Sequence, residues 1–344
     1  MPDLSRFARI FFALLVVQIA ALLVVGNQAF GARSAGGLLL GESSPVLSNP
    51  NQQAIARGED LAAKQYGWTV KHLDANLSPS KQVSDVDTFI NLKVKGLITW
   101  TLDPGTVAAA YKRAVAAGIP IIDFGSTNNV TSSIFDARGY GCGQGKAAAD
   151  YIAKRVPKGK VLVIGGPPVP AITNYTNCFV SGAKADGLNI VGEQYNTNDT
   201  AATAQPIVQA LLTKNPDVNA IWCYNDPSCL GAGAVVHAAG KQVWIEGKQK
   251  GIVITGANGS ADAAAAIKSG LMTGTWDPQS PITGGLSVEL LAMHLKDGKP
   301  LSALPKIIVV PNKIWDASNI SGYVDPLKRP VPIIAIPKAW IVKP

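Results

Sequence analysis

Residues 208–235, VQALLTKNPDVNAIWCYNDPSCLGAGAV, carry the polar side chains best placed for chemistry. A turn at Asn215–Pro216–Asp217 leads into a short apolar run, Ala220–Tyr224, and Asn225–Asp226 then stand just ahead of a helical pattern. Polar groups handed over at the carboxyl end of a strand, next to a helix N-terminus, are where open α/β sheets bind ligands. No acid–base pair or activated nucleophile accompanies them. The chain has no GxxxxGK[ST] phosphate loop, no GxSxG elbow and no HExxH helix. The glycines of DARGYGCGQG (136–145) follow an irregular segment rather than a strand, which argues against a dinucleotide loop. The expected chemistry is therefore binding without a bond made or broken, with no catalytic residue, cofactor or metal.

The cysteines support the same reading. Cys142, Cys178, Cys223 and Cys229 lack CxxC spacing, and the nearest histidine, His237, lies on an apolar helix face, so a zinc site is not expected. Four cysteines allow three pairings. Cys223 and Cys229 flank the strand–helix turn and are the expected bridge; His72, His237 and His294 read as structural or exposed.

Disulfides need export, and the N-terminus predicts it. Arg6 and Arg9 precede an apolar run, Ile10–Val25, closed by the small-x-small site Ala29-Phe30-Gly31. That is the three-part pattern of a cleavable signal peptide, expected over residues 1–31. No Cys directly follows the run to take a lipid, so a soluble periplasmic protein is expected. The net charge of +8 is spread singly along the chain with no Lys/Arg block, which fits a solvated basic surface and not a nucleic-acid site.

The elements that must position these groups alternate. Apolar runs Leu38–Leu40, Trp68–Leu73, Gly96–Trp100 and Pro120–Phe124 are separated by helical patterns Gln52–Gly67, Ser80–Val94 and Thr106–Ala117. The rhythm resumes at Val161–Ile164, Leu188–Val191, Ala220–Tyr224 and Ile252–Thr255, with helices Gly143–Arg155, Asn177–Ala185, Ala204–Leu212, Ser228–Ala239 and Ala261–Ser269. Such alternation predicts parallel sheets covered on both faces. With 344 residues, more than one core of about 250–300 residues usually holds, the two runs predict two doubly wound lobes. Asp136–Gly145 is the expected first crossing between them.

In order, the chain carries SNPNQQAIARGEDLAAKQYGW, LDANLSPSKQVSDVDTFI, GLITWTLDP, AGIPIIDFGS, GKAAADYIAKRV, NPDVNAIWCYNDPSCLGA, ITGANGSADAAAAI and GTWDP. In these segments it resembles the type I periplasmic sugar-binding proteins of the ribose/galactose-binding kind, which serve ABC importers. The resemblance covers nearly all of the chain after the signal segment. It implies two α/β lobes joined by a three-strand hinge: 36–137 with 277–310 as the N-terminal lobe, 138–276 with 311–320 as the C-terminal lobe. It also implies recrossings at Asp277–Pro278 and near Pro311, around a helix Ile282–Lys296 and a strand Ile307–Val310. A proline-rich tail, 321–344, is expected to wrap the lobes or the hinge as irregular chain.

The resemblance further implies a ligand held by Asn49, Asn51, Gln52, Trp100, Phe124 and Ser126 from the first lobe and by Tyr175, Asn225, Asn258, Trp276 and Asp277 from the second. Asn49 and Asn225 could equally be helix caps, Asn258-Gly259 only a turn, and Trp100 and Trp276 only core. Gly125 and Ser126 stand where the ribose binder carries an Asp and an Arg, which points away from ribose itself. Neutral amides and aromatic rings suit an uncharged cyclic polyol or a sugar derivative with an apolar face. The implied function is delivery of such a solute, by a monomer, to an ABC permease. A sensor of the same fold feeding a kinase or chemoreceptor is the alternative. A repressor of this fold would need an N-terminal helix-turn-helix where this chain has its signal pattern.

Overall fold

The computed structural model describes residues 37–126, 129–134 and 142–342. The expected signal peptide lies outside them, as do residues 136–141 of the expected first crossing. No helix among the described residues is long and apolar enough to cross a membrane.

The first half alternates β1 (Leu39–Ser44), α1 (Pro50–Gln65), β2 (Thr69–Asp74), α2 (Pro79–Asn91), β3 (Leu97–Thr99), α3 (Pro104–Ala116), β4 (Ile121–Asp123) and β5 (Ser132–Ser133). The second half runs α4 (Cys142–Arg155), β6 (Lys160–Gly165), α5 (Pro170–Ala185), β7 (Asn189–Tyr195), α6 (Ala201–Lys214), β8 (Ala220–Cys223), α7 (Asp226–Ala238), β9 (Val253–Ala257), α8 (Ala261–Ser269) and β10 (Gly274–Asp277). Next come α9 (Ser280–Leu295), β11 (Ile307–Ile308), β12 (Lys313–Asp316) and β13 (Ile341–Val342). The strands form two sheets, ordered β13-β11-β5-β4-β3-β1-β2 and β12-β10-β9-β8-β6-β7. Pairing is parallel except for β10 with β12 and β11 with β13. Two parallel-sheet α/β lobes result.

Alternation along the strands explains why both faces of each sheet are covered. Ile98 and Ile122 face one way, against Ile55, Leu286 and Leu290. Their neighbours Leu97 and Ile121 face the other, against Phe89, Val107 and Tyr111. In the second sheet Leu162, Ile221 and Ile254 point to one core and Val161, Ala220 and Val253 to the opposite one. A strand buried on both faces has to be apolar at every position, which is why these runs read as continuous hydrophobic stretches.

Helix starts carry their own signals. Asn49, Ser78, Asp103, Thr200, Asn225 and Ser260 each accept a backbone N–H in the first turn of the helix that follows. Proline fits the first turn, where no intrahelical donor is lost, so several helices begin earlier than their apolar periodicity suggests. The largest difference is α5, which starts at Pro170 and not at Asn177. Residues Ile172–Tyr175 are thus helical, not a loop. Pro206 sits inside α6, whose N-terminus extends back to Ala201.

The chain leaves the second sheet after β10, and α9 packs in close contact on α1 of the first half. Glycines permit that approach: a Cβ on Gly284 would collide with the Ile55 carbonyl, and one on Gly58 with the Pro281 carbonyl. The chain joins the first sheet at β11 and the second again at β12. The tail departs from an irregular wrap in one respect. Arg57 and Gln65 of α1 donate to the Arg329 and Val331 carbonyls, and the chain then ends as β13, an edge strand of the first sheet. Two disulfides are present. Cys223–Cys229 (Cα–Cα 5.5 Å) joins the end of β8 to α7, and Cys142–Cys178 (4.8 Å) joins α4 to α5.

Candidate ligand-binding cleft

In each sheet the strand order reverses around one central strand: β1 lies between β2 and β3, and β6 between β7 and β8. Connections on the two sides of such a strand diverge and leave a crevice at the carboxyl ends. A cavity occupies that place in both halves at once. Pro45 and Val46 follow β1, Trp100 follows β3, Pro167 follows β6, and Tyr224 and Asn225 follow β8; all of them line it. Its volume is about 140 Å³. At about 10–15 Å³ per enclosed water-sized sphere, that is room for on the order of ten atoms, the size of a pentose or hexose ring.

Of the residues expected at the ligand, Asn49, Asn51, Gln52, Trp100, Phe124, Tyr175, Asn225 and Asn258 line this cavity. Asn49 and Asn225 are helix caps as well. Each side-chain oxygen accepts a backbone N–H, from Asn51 at 2.9 Å and Ser228 at 3.0 Å, while each NH2 donates to Asp199. The cap and cleft readings are compatible because they use opposite ends of the amide. Asn258 has φ 126° and donates its backbone N–H to the Trp276 carbonyl, which turns the chain after β9 toward the cavity.

Ser126, Trp276 and Asp277 do not line it. Ser126 is buried, and its N–H and that of Gly125 donate to Asp123 at 2.7 and 2.6 Å, so that carboxylate shapes the loop after β4. Trp276 packs edge-on against Tyr151, with ring centroids 6.2 Å apart, in the core on one face of the second sheet. Asp277, 1% exposed, pairs with Arg329 of the tail at 2.6 Å and accepts from the Trp315 indole at 2.8 Å. A strand-end position before proline was a fair signal for a pocket residue; here the tail supplies the partner instead.

Sequence reading missed Asp199, Tyr224 and Leu77, all of which line the cavity. Asp199 matters most, because it makes the expected wall of neutral amides and rings incomplete. Among the described residues that line the cavity it is the only Asp or Glu, and none of them is Lys, Arg or His. Its carboxylate accepts from Asn49 at 2.8 Å, and from Tyr224 and Asn225 in short bonds. Burial pushes its carboxyl up, and those three donors pull it back down. The Asn49 bond crosses from a loop of the first half to one of the second. The available signal was position: Asp199 precedes the cap Thr200 after β7, at a carboxyl strand end, with φ 60°.

Asp226, beside Asn225, takes a different part. Its oxygens accept from the Ser260 N–H at 2.8 Å and from the Thr275 hydroxyl at 2.5 Å, tying the loops after β8 and β9 to β10. Burial pushes its carboxyl up to about 7 against the pull of those donors.

Residues 41–300 match the model of the periplasmic binding protein domain. The chain belongs to that family. Among curated relatives, the ribose import binding protein of Bacillus subtilis is 28% identical over 257 residues, 73% of this chain and 79% of its own length. The D-apiose import binding protein of Paraburkholderia graminis is 24% identical over 82% of this chain and 88% of its own. Of solved structures, the Caulobacter myo-inositol binding protein bound to myo-inositol has a TM-score of 0.71 at 24% identity, covering 84% of this chain and 96% of its own. A solute binding protein from Bacillus halodurans with bound myo-inositol has a TM-score of 0.72 at 20% identity, covering 85% and 99%. These likenesses show the fold.

Proposed function

We propose that this protein is the periplasmic solute-binding component of an ABC import system, taking an uncharged monosaccharide or cyclic polyol between its two lobes. The observation that carries the proposal is the ring-sized cavity at the paired switch points, with side chains from both halves on its walls and an Asn49–Asp199 bond across it. Trp100, Phe124, Tyr175 and Tyr224 offer apolar faces to ring C–H groups. Asn51, Gln52, Asn258 and Asp199 offer donors and acceptors to hydroxyls at the ring edge. Contacts made from both sides favour the closed arrangement over the open one, and an importer reads that difference.

The import names of the relatives support transport over sensing, and their description as binding proteins supports a role without turnover. A monomer delivering its solute to a membrane permease completes the reading. The test is a thermal-shift screen of pure protein against ribose, allose, apiose, myo-inositol and related polyols at millimolar concentration. At a hundredfold excess over Kd, one of them raises the Tm by about 5–10 °C. A flat response across the panel overturns the proposal.

A further inference from the structure

Away from the cleft, under α1, the first lobe buries a cluster that ligand binding does not use. Glu42 on β1 and His72 on β2 are direct cross-strand partners. Glu59 of α1 lies over both. The three donor atoms lie within 4.8 Å of one another, with His72 Nδ1 2.9 Å from Glu42 Oε2 and 3.8 Å from Glu59 Oε2. Glu42 is 2% exposed and Glu59 fully buried. Neither oxygen of Glu59 accepts a hydrogen bond, although it is aimed at the His72 ring. Burial, with Glu42 alongside, holds the Glu59 carboxyl well above the usual carboxylate range.

The opposite edge of the imidazole is arranged as well. His72 Nε2 lies 3.0 Å from Asp60 Oδ1. Without a cation, Nδ1 donates to the Glu42 carboxylate at 2.9 Å; a cation bound there displaces that proton and leaves Asp60 on Nε2, the usual arrangement behind a metal-bound histidine. One imidazole nitrogen and two carboxylates suit a divalent transition cation, Zn2+ before Ca2+ or Mg2+, which prefer all-oxygen shells. Two donors at about 2.0–2.2 Å from one ion lie at most about 4.4 Å apart, so the present donors, spread over as much as 4.8 Å, close in on the cation as it binds.

We propose that Glu42, Glu59 and His72 form a structural Zn2+ site that pins α1 to β1 and β2. The cation takes the Glu59 proton's place and bonds an oxygen that accepts no hydrogen bond from the protein.

The test uses the full mature chain stripped with EDTA, then titrated with ZnCl2 by calorimetry and followed by Tm, with MnCl2 and CaCl2 alongside. One equivalent of Zn2+ binds, and at a hundredfold excess over Kd it raises the Tm by about 5 °C or more, well beyond Ca2+. Glu59→Gln keeps the shape and removes the carboxylate that would ligate the cation. It holds or raises the Tm in EDTA yet weakens Zn2+ binding at least tenfold, and His72→Gln weakens it likewise. A wild-type protein indifferent to Zn2+, or a response that survives in both variants and so belongs to surface groups such as His294, overturns the proposal.

Discussion

Asn49 and Asn225 divide their amides between two tasks, the oxygen closing a helix start and the NH2 reaching Asp199. Substitutions can separate the tasks. Serine caps as well as asparagine but cannot span 2.8 Å to Asp199 from the Asn49 backbone. Asn49→Ser is expected to leave the ligand-free Tm within about 2 °C while losing a hydrogen bond to a charged acceptor, about 1.5–3 kcal/mol, hence about tenfold or more in Kd. Calorimetric titration with the ligand found by screening checks this. A variant whose affinity is unchanged would show that the Asn49–Asp199 bond does not favour closure.

Among the elements, the α1–α9 crossing decides how the first lobe is covered, and it depends on two glycines facing carbonyls. A methyl group at Gly284 meets the backbone oxygen of Ile55, which cannot rotate away as a side chain would. Gly284→Ala is therefore expected to cost about 1–3 kcal/mol despite alanine's better helix propensity. Urea denaturation reads this directly, and a variant as stable as wild type would mean that the helices can part. The boundaries of α5 show how local signals mislead: Val169 provides no side-chain cap, so nothing polar marks the true start at Pro170.

For the whole molecule, the buried Asp226 links stability to pH. Its folded pKa, about 7, lies above the ordinary Asp value of 3.8, so between those values the native state holds a proton that the unfolded chain releases. Stability from this group is complete below about pH 4 and declines as pH rises to about 7, by at most roughly 4 kcal/mol. Tm measured from pH 4 to 7 should carry this downward contribution, and Asp226→Asn should remove it. An identical pH profile in the variant would assign the trend to other groups. The same carboxylate ties together the loops after β8 and β9 and the strand β10, so its titration is felt at the wall that carries Asn225 and Asn258.

What the sequence determined by itself was the alternation of strands and helices, the two-sheet architecture and the placing of amides at strand ends. Periodicity and capping are local properties and leave local marks: Asn49-Pro50 and Asn225-Asp226-Pro227 announce both a helix start and a strand end. Only the tertiary structure decided which strand-end residues meet. Asp199 looks like one more turn residue until folding brings Asn49, 150 positions away, against it. Asp277 looks like a cleft residue until Arg329 folds back over it. Glu59 carries no local mark of burial until α1 lies across β1 and β2 and shuts water away from it. In each case the deciding quantity is a partner distant in sequence, and burial sets its energy; neither is encoded within a window of neighbouring residues.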